Sequence, residues 1–156
     1  MKSFCRPSLD LALTLAHSGV MNPRFDHEKL SVYQVSLKFV AWAAELISNV
    51  QGKNAVKDQL DRASTSVPLN IAEGNGKFAI RDRCRYLDFA PGSALECAAC
   101  LDVLVAKGLT NITSITSGKE QLFEIVSMLM GLIKSLTSRI GERPGVYLAS
   151  GKEEQE

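Results

Sequence analysis

The chain has 156 residues, which is enough for one domain with its own core. Its hydrophobic content of 46% and charged content of 22% are ordinary for a globular protein. The formal net charge of +1 excludes a global attraction to nucleic acid, although a local basic patch is compatible with it. Aromatic residues make up only 6%, and alternating runs of Val, Ile and Thr are missing, so the composition favours helices.

Residues 1–25 are predicted to be an extension outside the folded domain. Lys2 and Arg6 precede an apolar stretch that imitates a signal peptide, but Asp10 interrupts the stretch. Helical periodicity begins only after Met21, so a second interpretation is that Met21 is the true start. We expect residues 1–20 to be poorly ordered and dispensable for stability.

The rest of the composition indicates a cytoplasmic protein. The four cysteines lack the spaced framework of a small secreted domain, so reduced thiols are expected. No apolar run approaches the ~18–20 residues that span a bilayer, and we expect no membrane association.

The first predicted helix covers residues 27–50, with Asp26 as N-cap and Gly52 as the stop. Its apolar residues form two stripes, where a surface helix needs one. The first stripe is Leu30, Tyr33, Leu37, Val40, Ala44 and Ile47; the second is Val32, Val35, Phe39, Trp42 and Leu46.

Two further helices follow, over residues 54–73 and 79–107. Gly74 and Gly108 supply their stops. Each contains a proline, and we expect kinks at these positions, Pro68 and Pro91. Core positions of the third helix are predicted at Leu87, Ala90, Ala94, Ala98, Leu101 and Leu104 or Val105.

The fourth helix is predicted over residues 117–140, because Ser117 and Glu120 match a capping box. Gly141 and Pro144 end it, and residues 142–156 form a polar tail. Its core stripe runs from Leu122 to Ile140, and Phe123, Met128 and Met130 fall outside this stripe.

Four helices with short connections predict an all-α, antiparallel up-down-up-down four-helix bundle over residues 26–141. The first and fourth helices have more apolar surface than one bundle face uses, so we expect a homo-oligomer. The interface residues proposed on this basis are Val32, Val35, Phe39, Trp42, Phe123 and Met130.

A polar stripe runs beside the apolar stripe of the second helix. It predicts a structural network between helices that comprises Gln59, Arg62, Ser66, Asn70, Glu73, Ser93 and Glu96. Arg62 and Glu73 are about three turns apart, so Glu96 on the neighbouring helix is the better partner for Arg62. If that pair is buried, truncation of Arg62 should cost ~3 kcal/mol or more.

One basic cluster lies near the connection between the second and third helices: Lys77, Arg81, Arg83 and Arg85. Arg81 and Arg85 share a helix face, and repetition around an oligomer would make a multivalent phosphate-binding surface. The alternative interpretation is a solvated helix start that Asp82 and Asp88 partly neutralise.

Two short motifs are weak signals for chemistry. Cys97 and Cys100 form a lone CxxC pair without the further ligands that zinc needs, so we interpret them as small core residues. The segment 74–77 is interpreted as a tight turn, since it lacks the spacing of a phosphate loop. We predict no metal, no cofactor and no enzymatic activity.

The sequence from Gln59 to Gly76 resembles a signature of the four-helix-bundle proteins encoded within intervening sequences of bacterial 23S ribosomal RNA genes. The signature reads approximately Gln-Leu-x-Arg-Ala-x-x-Ser-Ile/Val-Pro-x-Asn-Ile-Ala-Glu-Gly-x-Gly. A second element of that family resembles the run from Tyr86 to Glu96, which includes Gly92 and Ser93. The chain is also similar to the accessory variability proteins of diversity-generating retroelements.

The resemblance implies a bundle that assembles as a ring, typically a pentamer, and the retroelement relative binds a reverse transcriptase and nucleic acid. Asp61 and Pro91 replace residues that are commonly basic in relatives, and Ala79 replaces a common Ser or Thr cap. Our leading hypothesis is a non-catalytic, homo-oligomeric scaffold that binds structured RNA or an RNA-associated protein. The alternative is a protein-interaction or structural assembly with no affinity for nucleic acid.

Overall fold

A computed structural model of the protein describes residues 23–141, and this part of the chain is entirely helical. A short 3₁₀ turn at Asp26–Lys29 precedes five α-helical segments. We name these segments α1 (Ser31–Asn49), α2 (Ala55–Asn75), α3 (Ile80–Leu87), α4 (Phe89–Ala106) and α5 (Ile112–Gly141). One residue separates α3 from α4, so the chain forms the four rods of a helical bundle, as predicted.

The packing places α1 and α4 at opposite corners of the bundle. Both helices pack against α2 and against α5, but no Cα atoms of α1 and α4 approach within 8 Å. The shorter α3 packs against α2 and α5 at the end where α2 finishes and α4 begins. The solvent-facing sides of α1 and α4 therefore point in opposite directions.

The start of the bundle differs from the prediction of one helix from residue 27. Residues 26–29 form the 3₁₀ turn, whose Glu28 carboxylate accepts hydrogen bonds from the Arg24 and Phe25 amides at 2.7 and 3.0 Å. The chain is extended at Leu30 and the α-helix begins at Ser31. Asp26 is thus not the cap of α1; its carboxylate pairs with Lys29 at 2.8 Å instead.

The turn between α1 and α2 follows the predicted chemistry. Gly52 has a φ of +75°, a left-handed conformation that costs a glycine little. The Asn54 side chain caps α2, because its Oδ1 accepts a hydrogen bond from the Val56 amide at 3.0 Å. α2 continues through the buried Pro68 without an interruption and ends at Asn75, beyond the predicted Glu73.

The third rod is divided near its proline. Pro91 has no N–H to donate to the Leu87 carbonyl, and its ring crowds that position, so α3 ends at Leu87. As predicted, Ala79 makes no side-chain capping bond at the start of this rod. At the other end Gly108, with a φ of +67°, ends α4 as expected.

The predicted start of the fourth rod is wrong by more than one turn. α5 begins at Ile112, where the Asn111 side chain accepts a hydrogen bond from the Ser114 amide at 2.9 Å. Ser117 and Glu120, the proposed capping box, therefore lie inside the helix. The added turns bury Ile115, which lies seven residues before the buried Leu122.

The core lies between the four rods. The predicted inward positions of the third rod are buried at Leu87, Ala90, Ala94, Leu101 and Leu104, and Cys97 and Cys100 are also buried. On α1 the buried residues are Val32, Ser36, Phe39, Ala43 and Leu46. The second stripe of α1 therefore faces the core, and the first stripe is partly exposed to solvent.

The segment Ile80–Ala106 is long enough to span a membrane and contains a window with a mean hydropathy of 1.5. From the sequence we expected no apolar run of this length. Helices that pack in the core of a bundle share this composition, and 39% of the apolar window is buried within the bundle.

The predictions for residues 1–22 of the N-terminal extension, including Cys5 and Met21, and for the tail 142–156 fall outside the described residues. Residues 23–25 of the predicted extension are described, and Arg24 and Phe25 contact the 3₁₀ turn.

Candidate interaction surfaces

A chain of side-chain hydrogen bonds links α2 to α4. The Arg62 guanidinium donates to the Gln59 Oε1, and the Gln59 amide donates to the Glu96 Oε1. Arg62 and Glu96 are both exposed, so the predicted direct and buried ion pair is wrong. Gln59 mediates between the two charges, and solvent screens them.

Three of the remaining members of the predicted network, Ser66, Asn70 and Ser93, form a second contact between the same helices. The Asn70 amide donates to the hydroxyls of Ser66 at 3.3 Å and Ser93 at 3.4 Å. Glu73 does not join them, since its carboxylate accepts a hydrogen bond from Lys77 at 3.2 Å. The polar stripe thus forms two short groups at the edge of the bundle.

Of the four predicted basic residues, Lys77 is engaged within the chain. Its ammonium pairs with Glu73 and lies 3.9 Å from the centroid of the Tyr86 ring. The hydrogen bond to Glu73 raises the pKa of Lys77.

Arg83 is also committed to the fold. Its side chain is half-buried and donates to Asn75 Oδ1 on α2. Its Nε is buried and has no acceptor within the described part of the chain. Arg83 therefore fastens α3 to the end of α2.

Arg81 and Arg85 remain exposed at i, i+4 on α3, and neither makes a salt bridge with another residue between positions 23 and 141. Two carboxylates, Asp82 and Asp88, are also exposed on this part of the rod. The four-residue cluster is thus reduced to one arginine pair that can meet an external anion.

Exposed aromatic rings flank the arginine pair. Phe78 is fully exposed in the α2–α3 connection, and Phe89 is exposed one turn after Arg85. Phe89 also contacts Tyr86 edge-to-face, with 6.2 Å between ring centroids. Phe89 was not singled out in the sequence because it lies two residues before Pro91, in an apolar run that is typical of a core helix.

The predicted oligomer interface is divided between core and surface. Val32 and Phe39 are buried in the monomer and cannot meet a partner, which corrects their assignment. Val35 and Trp42 are partly buried and pack against the core. Phe123 and Met130, 77% and 54% exposed, are available at the surface of α5.

The burial of Trp42 depends on a glycine in α5. A Cβ atom on Gly118 would lie 2.1 Å from Trp42 Cη2, so the indole ring occupies the space of a side chain. The missing side chain allows α1 and α5 to approach closely. This contact fixes the rotation of α1 that turns its second stripe inward.

α4 carries an exposed apolar face that we did not predict. Leu95 is 61% exposed, and Ala99 and Val103 are also exposed on the side opposite the core. The helix is therefore apolar on nearly all sides. This pattern is typical of helices that are buried by neighbouring elements on every side. The sequence signal was the run of Ala, Cys, Leu and Val, which we assigned only to the core.

A shallow groove of about 520 Å³ lies between α4 and α5. The Asp102 carboxylate accepts a hydrogen bond from Lys119 at 2.6 Å across it. Ile112 and Phe123 line the groove and are largely exposed. Its walls suit an apolar side chain better than a reacting substrate.

The buried thiols carry no sign of reactivity. Burial raises the pKa of the Cys97 thiol to about 12, and burial also raises the pKa of Cys100. Among residues 23–141, no group of three or more His, Cys, Asp or Glu side chains is placed to hold a metal ion. Both cysteines fill space in the core, as predicted.

Comparisons with known proteins agree with the fold. No curated protein matches the chain. A crystal structure of a protein with unknown function from the S23 ribosomal protein family of Bacteroides thetaiotaomicron VPI-5482 is similar, with a TM-score of 0.63. The identity is 24%, and the match covers 66% of this chain and 98% of that chain. At this identity the likeness shows the fold alone.

The family model described as 23S rRNA-intervening sequence protein matches residues 28–131, well over half of the chain. The matched region contains both sequence elements that carried the predicted resemblance. The likeness to the retroelement proteins stays a prediction, since these matches do not test it. The chain belongs to the 23S rRNA-intervening sequence protein family.

Proposed function

We propose that this protein is a non-catalytic, homo-oligomeric helical scaffold of the cytoplasm. The supporting observation is the apolar surface that the bundle leaves exposed at two opposite corners. On α4 and α5 it includes Leu95, Phe123 and Met130, and on α1 it includes Leu37, which is 45% exposed. Large exposed apolar surfaces on folded chains mark places where a partner binds.

The assembly we propose is a closed ring, and five copies is the size that the family resemblance implies. Native mass spectrometry and light scattering at micromolar concentration test this directly. The expected species has five times the chain mass of 17.0 kDa. A different oligomer would correct the number of subunits, whereas a monomer at every concentration tested would refute the scaffold.

A second proposed role is the binding of structured RNA, or of a protein associated with RNA, by the ring. It is favoured by the exposure of Arg81 and Arg85, which have the i, i+4 spacing that lets both side chains reach one phosphate backbone. One arginine pair is a weak anion site, but repetition around a ring multiplies the contacts with a long RNA. Asp82 and Asp88 oppose this role. Because the binding would depend on contacts between arginines and phosphates, its affinity should fall steeply as the salt concentration rises.

Fluorescence anisotropy with a structured RNA across a salt series tests the second role. We expect micromolar binding at low salt that disappears in the double variant Arg81→Glu, Arg85→Glu. The matched control is Lys53→Glu, Lys107→Glu, which changes two exposed lysines at the other end of the bundle. No binding at low salt would leave the alternative, a protein assembly without nucleic-acid affinity, as the working account.

A further inference from the structure

α4 carries two seams with the alternating three- and four-residue spacing of a coiled coil. The inner seam is buried and consists of Ala90, Ala94, Cys97, Leu101 and Leu104. The outer seam is exposed and consists of Gly92, Leu95, Ala99, Asp102 and Ala106. Packing against α2 and α5 within the bundle uses only the inner seam. The outer seam therefore has no packing role among the described helices.

Three of the five residues in the outer seam of α4 are small: Gly92, Ala99 and Ala106. Gly92 lies within the helix, where glycine is less favourable than alanine. A Cβ atom there would meet no atom of residues 23–141 within 4 Å, so no contact within that part of the chain requires a glycine. With Ala99 and Ala106 at seven-residue spacing, Gly92 leaves a row of hollows along the surface.

The outer stripe of α1 has the same spacing, and most of its side chains are larger: Tyr33, Leu37, Val40, Ala44 and Ile47. Tyr33 and Ile47 pack partly against the core of their own bundle. Leu37 and Ala44 are exposed, and Val40 is partly exposed. Large side chains such as Leu37 on the α1 stripe, opposite the small residues of the α4 seam, are the arrangement in which knobs fill holes.

The corner around α4 is large enough for a stable contact. Lys119 pairs with Asp102, which sets the register of α5 against α4 and places Phe123 and Met130 beside the part of α4 that precedes Asp102. From their exposed fractions, Leu95, Phe123, Met130 and the 69% exposed Ile112 present roughly 500 Å² of apolar surface. A stable interface buries about 800 Å² per partner, of which about 60% is apolar.

We infer that the outer stripe of α1 in one copy packs against the outer seam of α4, with Phe123 of α5, in the next copy. This inference rests on the proposed self-assembly, and it specifies which surfaces meet between neighbouring subunits. The two surfaces lie at opposite corners of the bundle, so a two-fold dimer through either one would leave the other exposed. A head-to-tail contact covers both, and it generates a ring when the rotation between copies closes.

Single charges placed in the two surfaces test the inference in the full-length chain. The variants are Leu37→Glu on α1 and Ala99→Glu on α4, with Ala44→Glu and Leu95→Glu as a second pair. The control is Leu69→Glu, an exposed leucine on α2 outside both surfaces. All five side chains are exposed in the monomer, so the helices should be retained, as circular dichroism would show.

We expect each α1 or α4 variant alone to lose the assembly and sediment as a monomer, while the control keeps the wild-type mass. A mixture of Leu37→Glu and Ala99→Glu should form a heterodimer with one chain of each variant. Each variant retains the surface that the other lacks, so one contact can form. The second pair of variants should complement each other in the same way.

Three results separate failure of the inference from failure of the scaffold. If the wild type assembles but both variants keep its mass, the contact lies elsewhere and the inference is overturned. If only one of the two variants dissociates, the contact is two-fold rather than head-to-tail, which also overturns it. If the wild-type chain is itself a monomer, the proposed scaffold fails and the inference falls with it.

Discussion

The inner and outer faces of the bundle use the same residue types with opposite consequences. Gly118 and Gly92 both lie inside helices, but Trp42 fills the space beside Gly118, whereas no described residue lies within 4 Å of a Cβ on Gly92. Leu101 is fully buried, and Leu95 on the same helix is exposed. The stability of the monomer should therefore depend on the inner member of each pair, and its association on the outer member.

The largest expected effect is the removal of a core leucine. Leu101→Ala should cost about 2–5 kcal/mol of unfolding free energy, since the cavity forms among residues that cannot fully collapse. The same substitution at the exposed Leu69 should cost less than about 1 kcal/mol. Urea unfolding measures the difference in unfolding free energy between the two variants. Both are measured at one protein concentration, because association makes the apparent stability depend on concentration. Equal losses would contradict the division into inner and outer faces.

The glycine pair gives the next effect. Gly118→Ala should cost about 1–3 kcal/mol, although alanine is the better helix former, because the new methyl group collides with the Trp42 ring. Gly131→Ala is the matched control in the same helix, where a Cβ meets no atom within 4 Å, and should gain up to about 1 kcal/mol. Thermal unfolding measures both changes, and Trp42→Leu should reduce the cost of Gly118→Ala. A stabilised Gly118→Ala protein would show that the indole is not confined.

The buried thiol of Cys97 makes the inner face sensitive to alkaline pH. Its pKa is raised to about 12 in the folded chain by burial, against an ordinary value of 9.0. Above the ordinary value the unfolded state releases the proton first, so stability falls as pH rises, by about 1.4 kcal/mol per pH unit. Urea unfolding between about pH 8 and about pH 10 should show a steeper loss for the wild type than for Cys97→Ala. Parallel pH profiles would mean that the thiol ionises without a penalty.

The smallest effect concerns the polar edge between the faces. Arg62→Ala should cost no more than about 1 kcal/mol, because Arg62 is exposed and reaches Glu96 only through Gln59. This expected loss of unfolding free energy is smaller than the one predicted from the sequence, which assumed a buried ion pair. Gln59→Ala breaks both hydrogen bonds of the chain and serves as the comparison. A loss of several kcal/mol for Arg62→Ala would show that assembly buries this edge.

Local signals in the sequence predicted those helix ends that depend on a single residue. Gly52, Asn54 and Gly108 act through their own backbone or side chain, so the ends they specify need no tertiary information. The start of α5 was predicted wrongly because two capping signals compete. Asn111 prevails over Ser117, since the longer helix also buries Ile115.

The surfaces were predicted less well than the fold. The arginine pair was recognised from its spacing, but Lys77 and Arg83 were assigned to the same surface although both bind within the chain. Whether a long basic side chain meets a carboxylate or an amide depends on a neighbouring element, which spacing along one helix does not reveal. The outer face of α4 was missed because its inner and outer residues have the same apolar character.

The sequence by itself determined the all-helical fold and the family. Its helical periodicity, its stop residues and its two motifs are local properties of the chain. Tertiary structure decided which of the two stripes of α1 faces inward. The stripes have similar hydrophobicity, so burial energy alone does not distinguish them. In the rotation observed, the Trp42 indole lies over Gly118, a helix position without a side chain, and this contact favours the second stripe as the inward face.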